Sequence, residues 1–251
     1  MIELLLVGIG TGNPQHLTLQ AIQALNSADL ILIPRKGENK SDLVELRRAI
    51  CADVLTNPTT RIHDFDLPKR DAENPDYRGG VDDWHDEIAA VWSNEIKTQL
   101  GKTGRVAFLV WGDPSLYDST LRIAERVKTV MPLRVTMIPG MTSIQALTAG
   151  HAIPLNEIGA PVTITTGRRL RDGGWPASVD TLVIMLDGTC AFQTLPPEGI
   201  TIWWSAYAGM AEEITLSGPL SEISETILDT RAKARAKHGW LMDIYMLRRG
   251  G

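Results

Sequence analysis

The chain has 251 residues, of which 43% are hydrophobic, an ordinary proportion for a protein with a buried core. Its 25 basic and 30 acidic residues give a net charge of −5, which argues against general binding to nucleic acids or anionic membranes. Only two cysteines, Cys51 and Cys190, are present and they lie far apart, so we expect neither a disulfide framework nor a metal site.

The first half of the chain alternates between continuous apolar runs and helical patterns. The opening run, MIELLLVGIG, has no basic residues before it and is too short to span a bilayer, so we interpret it as a buried strand of a cytoplasmic protein. Strands are predicted at 2–9, 30–33, 106–111 and 135–138, and helices near 15–26, 42–50, 81–100, 121–130 and 142–149. Strands that are apolar throughout are typical of a mostly parallel sheet covered on both faces. This pattern predicts an α/β domain over residues 1–155.

The second half of the chain has a different rhythm. The segment 152–160, AIPLNEIGA, is typical of a linker. Strands are predicted at 162–166, 181–186, 200–205, 213–216 and 242–247, with one long helix at 220–236. We therefore predict a mixed α/β domain over residues 160–251. The charged run RAKARAK, at 231–237, is predicted to be a solvated helix face.

Three of the predicted strand ends carry glycine and polar residues. They are GIGTGNP at 8–14, WGDPSLY at 111–117 and IPGMTS at 138–143. A tight turn or a helix cap explains each one separately, but ligands bind at the carboxyl ends of parallel strands. The glycine spacing in the first segment does not fit a dinucleotide fingerprint, and no acidic residue ends the second strand, which disfavours a nucleotide-dependent oxidoreductase. Together the three segments predict one shared ligand site.

In their order and spacing, VGIGTGNPQHLT, WGDPSLY and PGMTS resemble the motifs of the tetrapyrrole methylases. Each motif alone is weak, and the three in register are specific. The resemblance extends over essentially the whole chain. It implies an α/β fold of two domains, with S-adenosylmethionine as the methyl donor lying folded in the cleft between them. It also implies that S-adenosylhomocysteine is the product and that no metal takes part.

The resemblance further implies which residues contact the methyl donor, several of them through backbone groups. These implied contacts are Thr11, Trp111, Gly112, Asp113, Leu116, Thr142, Ser143, Leu186, Tyr207 and Ala208. Two positions depart from the family pattern. Thr11 stands where many relatives carry proline, and Asn13 replaces a frequent aspartate. Both changes bear on the stiffness of the first loop or on its substrate contacts.

Three further segments narrow the resemblance. KGENKSDLVELRR, YRGGVDDWH and ITTGRRL are similar to those of a deacetylating subgroup that acts in aerobic cobalamin synthesis. This implies that precorrin-5 is methylated at C-1 and loses its acetyl group as acetate. The alternatives are a methylase acting at another ring position, a protein methylase similar to diphthine synthase, and a tetrapyrrole carrier without catalytic activity.

Loss of the acetyl group by addition of water to its carbonyl requires a base and a donor for the developing oxyanion. His85 is the candidate base, because Asp82, three residues earlier, can hold its ring or raise its pKa. The alternative is a solvated histidine at a helix start. Tyr117 is the candidate donor, and the alternative is that it packs on the donor molecule or the substrate. His151 is expected to be structural.

The implied substrate is a polycarboxylate tetrapyrrole, so cationic partners are expected. The candidates for substrate binding are Lys36, Arg70, Tyr77 and Arg78. Lys69 and the arginines of the GRRLR segment (168, 169 and 171) are further cations of the same kind. The long segment 67–80 fits the description of a lid over the site. By resemblance to the family, a homodimer is expected.

Overall fold

The computed structural model describes residues 1–35, 41–68 and 77–250, and in the helices it describes only the backbone of 41–42 and 77–81. The chain divides into two compact units, Met1–Thr142 and Ser143–Gly251. No helix within the described residues is long and apolar enough to cross a membrane.

The first unit contains a parallel sheet of five strands in the order β3-β2-β4-β1-β5. The strands are β1 Ile2–Gly8, β2 Leu30–Arg35, β3 Arg61–Asp66, β4 Gly104–Val110 and β5 Leu133–Ile138. Because all five run in one direction, their carboxyl ends meet at one edge of the sheet. The predicted strand ends of β1, β4 and β5 are therefore neighbours.

Helices cover both faces of this sheet, as the continuous apolar strands predict. The helices are α1 Leu19–Asn26, α2 Ser41–Val54, α3 Tyr77–Leu100 and α4 Thr120–Val130. On α3, Ile88, Trp92 and Ile96 recur at helical spacing and are buried with α4 against one face. α1 and α2 bury their apolar sides against the other face. The prediction of a parallel sheet covered on both sides is confirmed.

One strand of this sheet, β3, has no counterpart among the predicted elements. Its sequence, RIHDFD, contains three charged residues, and only Phe65 is buried. β3 is an edge strand that pairs with β2 alone. An edge strand needs little apolar surface, so the apolar runs that mark the other strands do not mark this one.

The second unit contains a mixed sheet in the order β6-β7-β10-β8-β9. β6 and β7 are parallel, and the other pairs are antiparallel. The strands are β6 Val162–Thr166, β7 Thr181–Met185, β8 Ile200–Ala206, β9 Ile214–Pro219 and β10 Asp243–Arg249. The helices are α5 Ser143–His151, α6 Gly167–Gly173 and α7 Leu220–His238. The core of the unit is built around Trp204 and Tyr245.

The helix α5 groups with the second unit, whereas the sequence prediction places the domain boundary at 155–160. α5 packs against β8, β9 and β10, and it buries Ile144 and Leu147. Residues 143–151 therefore pack against the sheet that follows them in the chain. The sequence alone does not reveal this, because a helix after a parallel strand ordinarily packs on the sheet that precedes it.

Candidate active site

The ends of β1 and β4 are joined through their backbones. The amide of Gly112 donates a hydrogen bond to the carbonyl of Gly10 at 2.7 Å, and the amide of Gly10 donates to the carbonyl of Gly112 at 3.3 Å. These two bonds form an isolated antiparallel bridge. The two loops are therefore fixed to each other through their main chains.

The end of β5 approaches the same place at Gly140. A Cβ atom added to Gly8 would lie 2.6 Å from the nitrogen of Gly140 and 2.7 Å from its Cα. A Cβ added to Gly140 would meet the carbonyl oxygen of Gly112. Only glycine allows three backbones to pack this closely, so the glycines of the three motifs serve a common contact.

Asp113 links the loop after β4 to the loop after β5. Its side chain is buried, and Oδ2 accepts a hydrogen bond from the amide of Gly140 at 2.9 Å. Oδ1 accepts from the amide of Ser115 at 2.8 Å. Burial opposes ionisation, but hydrogen bonds from Ser115 and Gly140 outweigh it and lower the pKa of Asp113. The carboxylate is thus held ionised, and it is no helix cap because α4 begins only at Thr120.

The other predicted contacts in the first unit, Thr11, Trp111, Leu116 and Thr142, lie in the loops that form this junction. Thr11 is buried, with its hydroxyl 3.1 Å from Nδ1 of His16. The ring of Trp111 lies against Gly12. Leu116 and Thr142 are half-buried. Ser143, also half-buried, is the first residue of α5 and belongs to the second unit.

Three of the predicted site residues have left-handed backbones, with φ of 49° at Tyr117, 53° at Leu186 and 51° at Tyr207. A bulky side chain disfavours this region, at a cost of roughly 1–3 kcal/mol. Such strain clusters at functional sites. The backbone thus gives these three positions a distinction that their side chains do not show in the sequence.

The three predicted residues that follow β7 and β8 differ in exposure. Leu186 is 67% exposed, whereas Tyr207 and Ala208 are buried. The hydroxyl of Tyr207 donates to the carbonyl of Trp240 at 2.6 Å, so this side chain is engaged within the second unit. A ligand at Tyr207 would therefore meet its backbone rather than its ring.

Asp187, which follows Leu186, is a buried residue that sequence reasoning missed. Its carboxylate accepts hydrogen bonds from the hydroxyl of Tyr245 at 2.6 Å, from the amide of Thr189 at 3.0 Å, and from the amide of Ala191. Burial opposes ionisation, but these hydrogen bonds prevail and lower the pKa of Asp187. An aspartate directly after a buried strand was the available signal. Its partner Tyr245 lies 58 positions away, so no local pattern reveals that contact.

A second carboxylate, Asp243, extends this set of contacts. It accepts from Nε of Arg231 at 2.9 Å and from Nε1 of Trp204 at 3.0 Å. Arg231 also donates to the backbone carbonyl of Asp187 at 3.2 Å. The side chain of Arg231 is only 14% exposed, so the prediction that the RAKARAK run is a solvated face is wrong at this residue. These contacts form one group, the Asp187 network, which consists of Asp187, Arg231, Asp243, Tyr245 and Trp204.

His85 lies on the core-facing side of α3 and is 3% exposed. Neither ring nitrogen has a hydrogen-bond partner among the described residues. Burial and the charge of Arg126 lower the pKa of His85 below its ordinary 6.5, against the opposing effect of Asp82. Asp82 does raise this pKa, as the sequence suggests, but burial and the charge of Arg126 outweigh it. The carboxylates of Asp82 and Asp86 both pair with Arg126 at 2.7 Å.

His151 lies at the end of α5. Its Nε2 is 3.1 Å from the carbonyl oxygen of Trp204 and 3.3 Å from the hydroxyl of Ser205. These contacts attach α5 to β8. They agree with the structural role that the sequence suggests for His151.

The four predicted substrate residues fall where the structure gives no side-chain information. Lys36 and Arg70 lie outside the described residues, as does most of the segment 67–80. Tyr77 and Arg78 open α3, and their side chains also lie outside the described set. Among the side chains that are described, no three His, Cys, Asp or Glu residues are grouped closely enough to hold a metal ion.

Comparison with known proteins connects this geometry to a family. The family model for Tetrapyrrole (Corrin/Porphyrin) Methylases matches residues 3–224. The chain is 51% identical to the precorrin-6A synthase [deacetylating] of Sinorhizobium sp., an alignment that covers 100% of this chain and 96% of the relative.

Solved structures agree with this match. A cobalamin synthesis related protein, CobF, of Corynebacterium diphtheriae has a TM-score of 0.84 and 38% identity, over 99% of both chains. The uroporphyrin-III C-methyl transferase of Thermus thermophilus, solved with S-adenosylhomocysteine, has the same fold, with a TM-score of 0.62 and 20% identity over 98% of this chain and 97% of that one. The chain belongs to the tetrapyrrole methylase family.

Proposed function

We propose that this protein is a precorrin-6A synthase of cobalamin biosynthesis. It methylates precorrin-5 at C-1 with S-adenosylmethionine and releases the C-1 acetyl group as acetate. The observation that carries this proposal is the 51% identity, over the whole chain, to a relative with that name. The junction of β1, β4 and β5 supports it, because its glycines and Asp113 are the residues of the three family motifs.

The residues at the junction fit a methyl donor of this kind. Gly112 has φ of 65°, and among the described residues the nearest atoms beyond its chain neighbours lie 4.0 Å from the position of an added Cβ, so its surface is open to a ligand. Bound there, S-adenosylmethionine supplies an electrophilic methyl group on a sulfonium. The proposed contacts are Thr11, Trp111, Gly112, Asp113, Leu116, Thr142, Ser143, Leu186, Tyr207 and Ala208.

The protein contributes position to the methyl transfer. Correct orientation of two reactants is worth up to about 7–11 kcal/mol of a reaction barrier. The backbone bridge between Gly10 and Gly112, and the carboxylate of Asp113, hold the loops in one geometry. A site built from main-chain contacts suits this task, because it does not have to rearrange as the reaction proceeds.

Deacetylation requires proton transfer, and we assign it to His85 and Tyr117. Water adds to the acetyl carbonyl while His85 takes its proton. The bond between C-1 and the acetyl carbon then breaks, acetate leaves, and the electron pair stays on C-1, which accepts the methyl group. The lowered pKa keeps His85 neutral and able to accept a proton. Burial raises the pKa of Tyr117 and keeps its hydroxyl protonated to donate to the oxyanion.

The unpartnered nitrogens of His85 favour this assignment. A buried polar group without a partner costs about 1–3 kcal/mol. Both ring nitrogens of His85 are in this state with respect to the described residues. A hydrogen-bonding partner that arrives with the substrate would remove the cost, so the ring is suited to a group absent from the free protein.

The periphery of the substrate carries carboxylates, and we assign their binding to Lys36, Arg70, Tyr77 and Arg78. Arg78→Ala is expected to weaken tetrapyrrole binding more than binding of S-adenosylhomocysteine, as calorimetric titration would show. Equal loss of both, or no loss, would remove Arg78 from this role.

We further propose that the protein is a cytoplasmic homodimer, which light scattering coupled to gel filtration would test.

The direct test is mass spectrometry of purified protein incubated with precorrin-5 and S-adenosylmethionine. The expected product has gained one methyl group and lost the two-carbon acetyl unit, with free acetate in solution. Methyl gain without acetate would leave a methylase and remove the deacetylation. No change in mass, with S-adenosylhomocysteine still bound, would direct the search to another ring position or another tetrapyrrole.

A further inference from the structure

Arg47 of α2 occupies a gap at the carboxyl edge of the parallel sheet. The ladder between β2 and β4 ends at the pair Leu32 and Phe108, although β4 continues to Val110. The carbonyl of Val110 accepts from Ile9 on the β1 side. Carbonyls alternate in direction along a strand, so the carbonyl of the preceding residue, Leu109, points towards β2, where the ladder has stopped.

The guanidinium of Arg47 satisfies this carbonyl. Its Nε donates to the oxygen of Leu109 at 3.2 Å, and one terminal nitrogen donates to the carbonyl of Leu43 at 3.2 Å. Leu109 is two residues before Trp111 in the chain, so this bond places Arg47 beside the end of β4. Its neighbour on α2, Leu46, contacts Gly12 of the first loop beside the ring of Trp111. The helix that carries Arg47 therefore touches the first loop through Leu46 and the end of β4 through Arg47.

The charge of Arg47 is not matched by its bonded partners. Both acceptors are neutral carbonyls, and within the described part of the chain no ion pair joins Arg47 to a carboxylate. Burial lowers the pKa of Arg47, and the field of Asp118 only partly opposes this. Arg47 is half-buried, so water compensates its charge only in part unless an anion accompanies it.

The bonding capacity of Arg47 is also incomplete. A guanidinium has five N–H donors in a fork that matches a carboxylate. The two bonds to carbonyls use one donor on each of two nitrogens. A residue that only holds a backbone carbonyl in place needs no full charge, since a neutral amide donates a hydrogen bond equally well. A carboxylate group would both accept hydrogen bonds from the remaining donors of Arg47 and balance its charge.

We propose that Arg47 binds a carboxylate of a ligand at the carboxyl edge of β2 and β4. This inference rests on the proposed function, in which two ligands carry carboxylates: the tetrapyrrole, on its peripheral side chains, and S-adenosylmethionine, on its amino-acid portion. Arg47 holds the carboxylate with the donors that Leu109 and Leu43 leave unused. It is a binding residue distinct from the predicted set, and it comes from α2 rather than from a strand end.

The test compares Arg47→Gln with Arg47→Lys and with a matched control, Arg61→Gln. Arg61 also donates to a backbone carbonyl, that of Gln99 at 2.7 Å, but it begins β3 at the opposite edge of the sheet. The measurements are KM and kcat with enzymatically prepared precorrin-5, dissociation constants for uroporphyrin III and S-adenosylhomocysteine, and the melting temperature.

Loss of one charge-assisted contact predicts about a tenfold or greater change. We expect Arg47→Gln to raise KM for precorrin-5 and Kd for uroporphyrin III by this factor, with Kd for S-adenosylhomocysteine within twofold of wild type. Arg47→Lys should recover part of the loss, and Arg61→Gln should have no effect. The reverse pattern, in which only binding of S-adenosylhomocysteine weakens, would assign the contact to the carboxylate of the methyl donor.

A different result would overturn the inference. Suppose that Arg47→Gln lowers the melting temperature while KM for precorrin-5 and both dissociation constants stay within twofold of wild type. Arg47 then has only the structural role of holding the carbonyl of Leu109. Failure of the wild-type protein to convert precorrin-5 would instead count against the proposed function. The titrations with uroporphyrin III and S-adenosylhomocysteine still decide the role of Arg47 in that event, and wild-type protein that binds neither would overturn both proposals.

Discussion

The two units hold their candidate site residues in different ways. In the first unit, the loops after β1, β4 and β5 are fixed by backbone contacts among glycines, and the side chain of Asp113 also links the loops after β4 and β5. In the second unit, the turn that follows Leu186 is held by the buried side chains of the Asp187 network. One arrangement depends on the absence of side chains, and the other depends on their presence.

This difference teaches what each unit tolerates. A site built from glycine backbones fails sterically, because any Cβ forces the strands apart. A site built from buried polar side chains fails when one partner is lost and the others stay buried without a hydrogen bond. The predictions below separate these two modes of failure, from the largest expected effect to the smallest.

Gly140→Ala is expected to have the largest effect. Its Cβ would meet the carbonyl oxygen of Gly112 and the backbone of Gly8, so we expect a loss of about 4 kcal/mol or more in the free energy of unfolding. Urea denaturation followed by circular dichroism measures it. Gly173→Ala is the control, because no atom lies within 4 Å of that Cβ, and a change below about 1 kcal/mol is expected. Equal effects of the two substitutions would contradict the steric account.

Asp187→Ala should cost about 3 kcal/mol, because it leaves the hydroxyl of Tyr245 and the amides of Thr189 and Ala191 without their acceptor. Tyr245→Phe removes a single donor and should cost about 1 kcal/mol. Thermal unfolding of both variants gives the ranking. If Tyr245→Phe costs as much as Asp187→Ala, the network depends on the tyrosine and not on the aspartate.

The pH dependence of stability should involve one histidine in each unit. Burial lowers the pKa of His85 and of His151 below 6.5, although the bond to Trp204 opposes it at His151. The unfolded chain takes up a proton near pH 6.5 and the folded protein does not, so stability is full above pH 6.5 and falls below it. The slope is at most about 1.4 kcal/mol per pH unit for each histidine.

Substitution can assign this slope to a unit. His85→Gln should reduce the loss of stability between pH 6.5 and pH 5, as measured by denaturation at each pH, and His151→Gln should reduce it independently. An unchanged slope in both variants would mean that the two histidines titrate alike in the folded and unfolded states. The carboxylates Asp113 and Asp187, with lowered pKa values, add a further loss only as the pH falls below about 3.8.

The smallest effect on stability is expected for Leu186→Gly. Glycine relieves the left-handed backbone at φ of 53°, and its greater entropy when unfolded offsets the gain, so the net change should be below about 1 kcal/mol. Binding of S-adenosylhomocysteine should nevertheless weaken, because the side chain is 67% exposed and available to a ligand. Unchanged affinity by calorimetry would remove Leu186 from the set of contacts.

The sequence predicts the candidate site residues of the first unit better than the Asp187 network of the second, for the same physical reason. Glycines that serve a backbone junction must lie in short strand-end motifs, so GIGTGNP, WGDPSLY and PGMTS are visible in the linear chain. In the Asp187 network, Asp187 is joined to Arg231 and Tyr245, which lie 44 and 58 positions away in the sequence. No local pattern encodes such contacts. Apolar runs likewise predict the buried strands and miss the exposed edge strand β3.

The left-handed backbones show a further limit of sequence reasoning. Tyr117, Leu186 and Tyr207 carry bulky side chains at φ values that residue preferences assign to glycine or asparagine. Propensity therefore gives no indication of these conformations. The family resemblance identifies the positions, and only the coordinates show what distinguishes them. The burial of His85 is similarly hidden, because aspartates at 82, 83 and 86 make its surroundings look solvated in the sequence.

The pairing of Arg126, on α4, with Asp82 and Asp86 has an evolutionary consequence. One guanidinium neutralises Asp82 and Asp86, one turn apart on α3, so a neutral residue at 126 would leave two carboxylates without their counter-ion beside His85. Substitutions at positions 82, 86 and 126 are therefore expected to occur together among homologues. Homologues that lose the arginine should also lose the two acidic residues, and those that keep all three should keep a neutral histidine between them.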